Sequence, residues 1–356
     1  MKNVEETGSF KGRGSQSNPN NKFHRHQFST ENIEGLDEPF LENSSTEFIK
    51  ESPKKVISVS NSPDLHFEYS INPYQGCEHG CIYCYARNAH EYWGFSPGLD
   101  FERKIIFKPD AALILERQLN HKNYRPQVIM LSGNTDCYQP AERKFKITRS
   151  LLEVFLKYKH PVSIITKNNL ILRDIDLLEE LNKLDLIHVN MSVTSLNEDL
   201  RQKLEPRTVT GKGRIKVIEK LSERNIPVRV MVAPIIPGLN SDEIPAIIKV
   251  AANAGAKAAG FTVVRLNGAI GPIFQDWIEK AYPDKAQKVL NQIRACHGGA
   301  LNDSRWGNRM RGDGKEAEAI HQLFKLAVKR YMPNPSLRQL SLAHFHKKEE
   351  QLRLFD

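Results

Sequence analysis

Between residues 66 and 266 the chain alternates short β-branched runs with stretches of helical periodicity, and no other feature limits its fold as strongly. The runs lie at 66–71, 128–131, 162–166, 187–194, 228–235 and 259–266. Helices are predicted at 140–159, 173–184, 212–224 and 241–254, the last opening at Ser241 and stopping at Asn253–Gly255. Six strands separated by helices predict a parallel sheet with right-handed crossovers, its chemistry gathered at the carboxyl ends of the strands. A chain of 356 residues, 40% of them apolar, has enough material for one α/β barrel with appendages.

Outside that region the pattern changes. Residues 1–55 are rich in Asn, Ser, Gly and Glu without apolar period and read as a mobile N-terminal arm. Residues 56–267 form the core. Residues 268–335 read as a helical C-terminal extension, with helices at 285–296 and 315–331 around a Gly- and Arg-rich loop at 298–314. Residues 336–356 read as a flexible tail. No stretch approaches the ~20 apolar residues of a membrane span and none resembles a signal-peptide core, so a cytoplasmic protein without membrane contact is expected.

The five cysteines are an odd set, and Cys77, Cys81 and Cys84 fall within eight residues directly after the first strand. A disulfide framework does not explain them. Gly76 and Gly80 ease one tight loop that turns three thiolates toward a common centre. A structural zinc site wants four protein ligands, here the three cysteines with His79 or His90. Alternatively, three thiolates hold three irons of a [4Fe–4S] cluster and leave the fourth open to a small chelating molecule.

The run Cys77-x3-Cys81-x-Tyr83-Cys84 resembles the signature loop of the radical S-adenosylmethionine (radical SAM) superfamily, including the aromatic before the last cysteine. Within it the chain is similar to an uncharacterised bacterial family related to spore photoproduct lyase. The shared motifs are Gly12-Arg13-Gly14, Ser62-Pro63-Asp64, 98–102, Asn134-Thr135-Asp136, Tyr138-Gln139-Pro140, 173–176, Glu205-Pro206-Arg207 and 308–312. The resemblance implies a partial (β/α)6 radical SAM barrel. It also implies reductive cleavage of S-adenosylmethionine at the cluster to a 5′-deoxyadenosyl radical that abstracts hydrogen from a substrate, with a flavodoxin- or ferredoxin-type electron donor. The alternative from another class is a non-catalytic, metal-stabilised nucleic-acid-binding protein.

The same resemblance assigns expectations to the strand ends. Tyr83, Gly133 and Asn134 are expected near the bound cofactor, and Lys167 is expected to meet the methionine carboxylate. Ser192 and Thr194 are placed to bond the ribose or the methionine end, and Arg207 to clamp a carboxylate or phosphate. Cys137, three residues beyond Asn134, is a candidate catalytic residue on the face where substrate should lie; the hydrogen-donating cysteine of the photoproduct lyase stands a few positions earlier in the motif, so its role is not carried over.

The net charge is +9, from 51 basic and 42 acidic residues. Residues 1–50 hold six basic and eight acidic, so the rest of the chain carries +11. Such a body suits a polyanion. Arg305, Arg309 and Arg311 beside Trp306 suit phosphates and stacked bases, which makes DNA or RNA the expected substrate class. The run Gln351-Leu-Arg-Leu-Phe355 resembles the peptide that docks bacterial enzymes on the DNA sliding clamp.

Overall fold

The computed structural model describes residues 12–23, 45–65 and 67–347. His66 and Gln351 to Phe355 lie outside the described residues. The strands, in chain order, are β1 (Glu47–Lys50), β2 (Ile57–Val59), β3 (Tyr69–Ile71), β4 (Tyr74–Gln75), β5 (Lys104–Phe107), β6 (Ile129–Leu131), β7 (Val162–Thr166), β8 (Ile187–Ser192), β9 (Val228–Ile235) and β10 (Ala258–Val263). The main sheet runs β10-β9-β8-β7-β6-β3-β2; β3 and β6 to β10 are parallel, and β2 pairs antiparallel at the edge. Parallel strands in unbroken chain order form the wall of a barrel rather than a doubly wound sheet, whose order reverses. Among the described residues β10 does not pair with β3, so the barrel is partial.

β7 and β8 are almost wholly buried, as parallel strands covered on both faces must be. Helices cover the outside with apolar stripes, such as Ile244, Ile247, Ile248 and Ala251 of Ile244–Asn253 and Val217, Ile218 and Leu221 of Gly211–Glu223. The helix predicted at 140–159 is two helices, Glu142–Phe145 and Ile147–Lys157, broken at Lys146 with φ 54°. Buried Glu142 stabilises the break by accepting from Thr148 N at 3.0 Å and Tyr74 Oη at 2.5 Å.

The reading of 1–55 as a mobile arm is corrected for its described parts. β1 pairs parallel with β5 in a second small sheet, β1-β5-β4. Residues 12–23 pack along the chain near the cysteine loop: Ser17 O accepts from Leu99 N, and Asn21 Nδ2 donates to Glu91 O and Phe95 O. The extension is likewise tied down. Met310 O and Leu301 O accept from Val263 N and Leu266 N, covering the β10 edge that would otherwise be open. A helix absent from the sequence reading, Ile270–Ala281, packs Phe274, Trp277 and Ile278 against Val289, Leu290 and Ile293 of Pro283–Cys296, in one apolar cluster with Cys81, Ile82 and Tyr83.

Residues 336–347 are also held, correcting the first part of the flexible tail. Ser336 N donates to Lys257 O, Ser341 N to Asp185 O, and Phe345 lies edge-on to His160, centroids 5.4 Å apart. No helix among the described residues is long and apolar enough to cross a membrane.

His160 makes this seam sensitive to acid. Its Nδ1 donates to Pro161 O and its Nε2 accepts from Tyr124 Oη at 2.7 Å, which fixes the neutral ring. Burial pushes its pKa down to about 4. The unfolded ring binds a proton below ~6.5 and the folded ring only below about 4, so this contribution is intact above pH 6.5 and lost as pH falls toward 4. Melting temperature is expected to drop across that window, with a slope of up to ~1.4 kcal/mol per pH unit from this ring. His160→Gln should be less stable at pH 7 and flatter toward pH 5; an unchanged pH slope refutes the assignment.

Candidate active site at the strand ends

The cysteine loop leaves β4 through Gly76 and turns at Gly80, with φ 76° and 68°. Glycine is required at Gly80, where a Cβ would sit 2.8 Å from the Glu102 carboxylate as well as in a left-handed conformation. Cys77 N donates to Phe101 O, Ile82 N to Leu204 O and Cys84 N to Cys81 O. Behind the loop lies Arg87, fully buried: Nε donates to Cys81 O, Nη1 to Pro97 O and Gly98 O, and Nη2 pairs with Glu102 at 2.5 Å. A buried ion pair in which every guanidinium nitrogen is bonded thus fixes the carbonyl of the middle cysteine.

The three thiols are free and close enough to feel one another. Burial pushes the Cys77 thiol well up, and Asp136, Cys81 and Cys84 push it further; burial and then Glu205 do the same for Cys81. Of the two histidines of the zinc alternative, His79 is engaged through both ring nitrogens, whereas His90 is bonded through Nε2 and keeps Nδ1 without a hydrogen-bond partner among the described residues. His79 lies between Asp136 (Nδ1, 3.4 Å) and Asn168 (Nε2, 3.2 Å), and His90 Nε2 donates to Asp100 O. No three His, Cys, Asp or Glu side chains among the described residues converge on a single ion position. The corners of a four-iron cluster stand farther apart than the ligands of one ion at ~2.3 Å Zn–S. Three free cysteines on one short loop, with no three such side chains drawn onto a single ion among the described residues, therefore fit a cluster with one open iron better than a zinc ion.

Next to Cys81 stands a network that the sequence reading missed, centred on Glu205. Its carboxylate is fully buried and accepts from Tyr83 Oη, from Thr194 Oγ1 at 2.7 Å and from Arg214 Nη2, with Lys167 Nζ at 3.6 Å. Burial alone would raise this carboxyl; Arg214 and Lys167 outweigh it and hold it far below the usual range. Arg214 Nη1 donates to Ser192 O, fixing the end of β8. A second carboxylate, the partly buried Asp136, accepts from Thr166 Oγ1 and Lys167 N at 2.8 Å, tying the loop after β6 to β7.

The structure brings Tyr83, Lys167, Thr194 and Ser192 together at the ends of β7 and β8. The Thr194 hydroxyl is already committed to Glu205 and lies 3.2 Å from Ala233 O, so it braces the site rather than facing an open cavity. Gly133 and Asn134 lie at the end of β6: Gly133 O accepts from Tyr85 Oη at 2.6 Å, and Asn134 Nδ2 lies 3.4 Å from Gln75 Oε1. Arg207 is half-buried beside Glu78, at 3.5 Å.

Cys137 does not join them. It is fully buried in the main apolar core, its backbone held by Ser132 Oγ and Thr148 Oγ1, which corrects the expectation of a thiol facing the substrate. Burial raises this thiol well above its ordinary value. A readable signal existed for Arg214, which occupies an apolar-stripe position of its helix with Val217, Ile218 and Leu221. A charge there implies a buried partner.

Comparison with known proteins agrees with this geometry. The chain matches the Radical SAM superfamily over residues 71–251, from the end of β3 to the helix before β10. It is 31% identical over 238 residues to an uncharacterised protein of Mycobacterium tuberculosis, covering 66% of this chain and 70% of that one. It is 32% identical over 198 residues to an uncharacterised protein of Methanocaldococcus jannaschii, covering 55% and 71%. In fold it is similar to a spore photoproduct lyase variant with bound AdoMet and dinucleoside spore photoproduct, with TM-score 0.58, 16% identity, and 81% and 80% of the two chains covered. A three-cysteine loop at the carboxyl end of the first strand of a partial (β/α)6 barrel, within a sequence match across half the chain, makes this protein a member of the radical SAM superfamily, whose enzymes use a [4Fe–4S] cluster and S-adenosylmethionine.

Proposed function

We propose that this radical SAM enzyme acts on nucleic acid, repairing or modifying it by hydrogen abstraction, with Cys77, Cys81 and Cys84 as the cluster ligands. The observation that carries the enzymatic reading is the adjacency of the three free thiols to a cation that can accept a second anion. Lys167 reaches Glu205 at 3.6 Å, but Arg214 already pairs with the same carboxylate. Lys167 can therefore take the carboxylate of the methionine moiety without leaving Glu205 bare. Asn134 and Gly133 sit one strand away, where the methionine amino group would be bonded. Arg207 would hold an anionic group at the mouth.

A cluster held there supplies, on reduction, the electron that cleaves S-adenosylmethionine to methionine and a 5′-deoxyadenosyl radical. The protein's part is to fix the three sulfurs, orient the sulfonium and exclude water. Iron at the sulfurs would also supply the positive charge that buried thiolates need. A flavodoxin- or ferredoxin-type protein fits as electron donor. The +11 charge outside residues 1–50 supports a polyanionic substrate. We divide the chain accordingly into a core barrel and an extension flanking its mouth.

Anaerobic reconstitution with iron and sulfide tests the reading. The wild type is expected to turn brown, bind about four irons and release 5′-deoxyadenosine with dithionite. Cys81→Ala should lose both iron and turnover. Transfer of deuterium from labelled DNA or RNA into 5′-deoxyadenosine would establish the substrate class. Turnover with no label from either, but label from a peptide or small metabolite, would overturn it.

A further inference from the structure

Trp306 lies on the loop of the extension, 58% exposed, the Arg309 guanidinium 3.9 Å from its ring centroid. An indole in water is ordinarily mobile. This one is braced from beneath by residues far away in sequence. Asp64 Oδ1 accepts from Gly307 N at 2.7 Å, Asp64 Oδ2 pairs with Arg309 Nε, and Arg309 Nη2 donates to Ser62 Oγ at 2.6 Å. Asp64 is 9% exposed and Arg309 18%, so the pair is largely withdrawn from solvent. Three hydrogen bonds across some 245 residues of sequence thus hold a guanidinium over the ring of an indole that is still more than half exposed.

Two of the three arginines on this loop are spent internally, and Arg311 stays exposed. Arg305 is bound to Asp303 at 2.6 Å and lies 3.5 Å from Asp313, as Arg309 is bound to Asp64. A loop built to grip phosphate would leave its guanidinium forks open. This one offers a rigid aromatic plane. Arg265 links this loop to the cysteine loop: the charges of Arg309 and Asp64 act on it, and its guanidinium lies 5.8 Å from the ring centroid of Tyr85, the residue after Cys84. Tyr85 is itself 46% exposed.

We propose that Trp306 on its Arg309–Asp64 brace is a stacking platform for a nucleobase of the bound strand, next to the residue that reacts. This rests on the nucleic-acid reading above and sharpens it. The strand must be single or locally opened, because a base inside a duplex has no free face to offer. The +11 body outside residues 1–50 supplies the sequence-independent attraction. Trp306 supplies the contact with the base, which narrows the sequence expectation of phosphate and base contacts by Arg305, Arg309, Arg311 and Trp306: Arg305 and Arg309 serve the loop itself, and the indole serves the base.

The test titrates the full-length protein with a short single-stranded oligonucleotide and with an abasic strand of equal length, which has the same phosphates and no bases. Tryptophan fluorescence and affinity are read together. The oligonucleotide should quench the wild type, and the abasic strand should bind more weakly without quenching. Trp306→Ala should weaken oligonucleotide binding roughly 5- to 100-fold. Trp306→Phe should retain most of the affinity while losing the quench, because a phenyl ring still stacks. Arg309→Ala should fall between, through a loosened indole. If Trp306→Ala binds oligonucleotide as the wild type does, the platform is refuted while the nucleic-acid reading survives. If no strand binds the wild type at low salt, both fall.

Discussion

Glu205→Ala is expected to destabilise the protein by about 3–5 kcal/mol, the cost of stripping one partner from a buried ion pair. Arg214 is as fully buried as Glu205, and its remaining partners, Ser192 O, Val209 O and Thr208 Oγ1, are neutral. The same change leaves the Tyr83 hydroxyl with Thr194 Oγ1 at 3.3 Å and removes the anion shared by Lys167. Glu205→Gln preserves the shape and fails through charge alone, so it should lose less stability and still impair cofactor binding. The double variant Glu205→Gln with Arg214→Met removes both charges and should recover part of the loss in a double-mutant cycle. Anaerobic urea unfolding checks the stability, and the S-adenosylmethionine concentration dependence of turnover checks the site. The acid side gives a separate signature. The folded carboxyl titrates below its ordinary 4.5, so its stabilisation is complete above pH ~4.5 and disappears as pH falls further. Glu205→Gln should remove that component. A destabilisation below ~1 kcal/mol for Glu205→Ala would mean that Arg214 finds another counter-charge.

What the sequence discloses and what it conceals divide along physical lines. Val162–Thr166, buried at all but one residue, and Val228–Ile235, where buried and half-buried residues largely alternate, both stand out as short β-branched runs and are legible to the residue. The helix Ile270–Ala281 is not, because Gly271 and Pro272 in its first turn look like loop. There the missing N–H costs nothing, since the first four have no helical acceptor. The cysteine loop is legible because its chemistry needs sulfur at a fixed local spacing. Glu205 and Arg214 are not, because their pairing depends on how the loop after β8 folds back on the next helix. Cys137 misleads for a related reason: a loop residue has no period, so nothing in the sequence decides whether it turns inward or outward. Residues 12–23 are polar and aperiodic, the pattern of a free arm. Their order comes from backbone donors meeting a buried carboxylate, which composition does not record.

Gly14→Val is expected to detach that segment and expose the cluster loop. Gly14 packs so closely on the turn between the first two cysteines that any Cβ there would collide with the Gly80 carbonyl oxygen. Its N–H and that of Ser15 donate to the two Glu102 oxygens at 3.0 and 2.8 Å, and Arg13 Nη1 donates to Glu102 O at 2.7 Å. Glu102 is the same buried carboxylate that holds Arg87, and Arg87 holds the Cys81 carbonyl. The turn cannot retreat, because Gly80 is already against Glu102. The bulkier side chain must therefore break both backbone bonds, each worth about 1.5–3 kcal/mol when the acceptor is charged. The docking energy at risk is thus about 3 kcal/mol or more, enough to shift the segment from bound to mostly open. Reconstituted Gly14→Val should hold less iron and bleach in air several-fold faster than the wild type, since the loop loses its cover. Gly12→Asn is the matched control, two residues away: no atom of the described residues lies within 4 Å of its Cβ position, and asparagine tolerates the φ of 76°. That variant should match the wild type in both measurements. Should Gly14→Val do so as well, the segment would be a passenger, and the close fit of Gly14 on Gly80 would carry no weight in protecting the cluster.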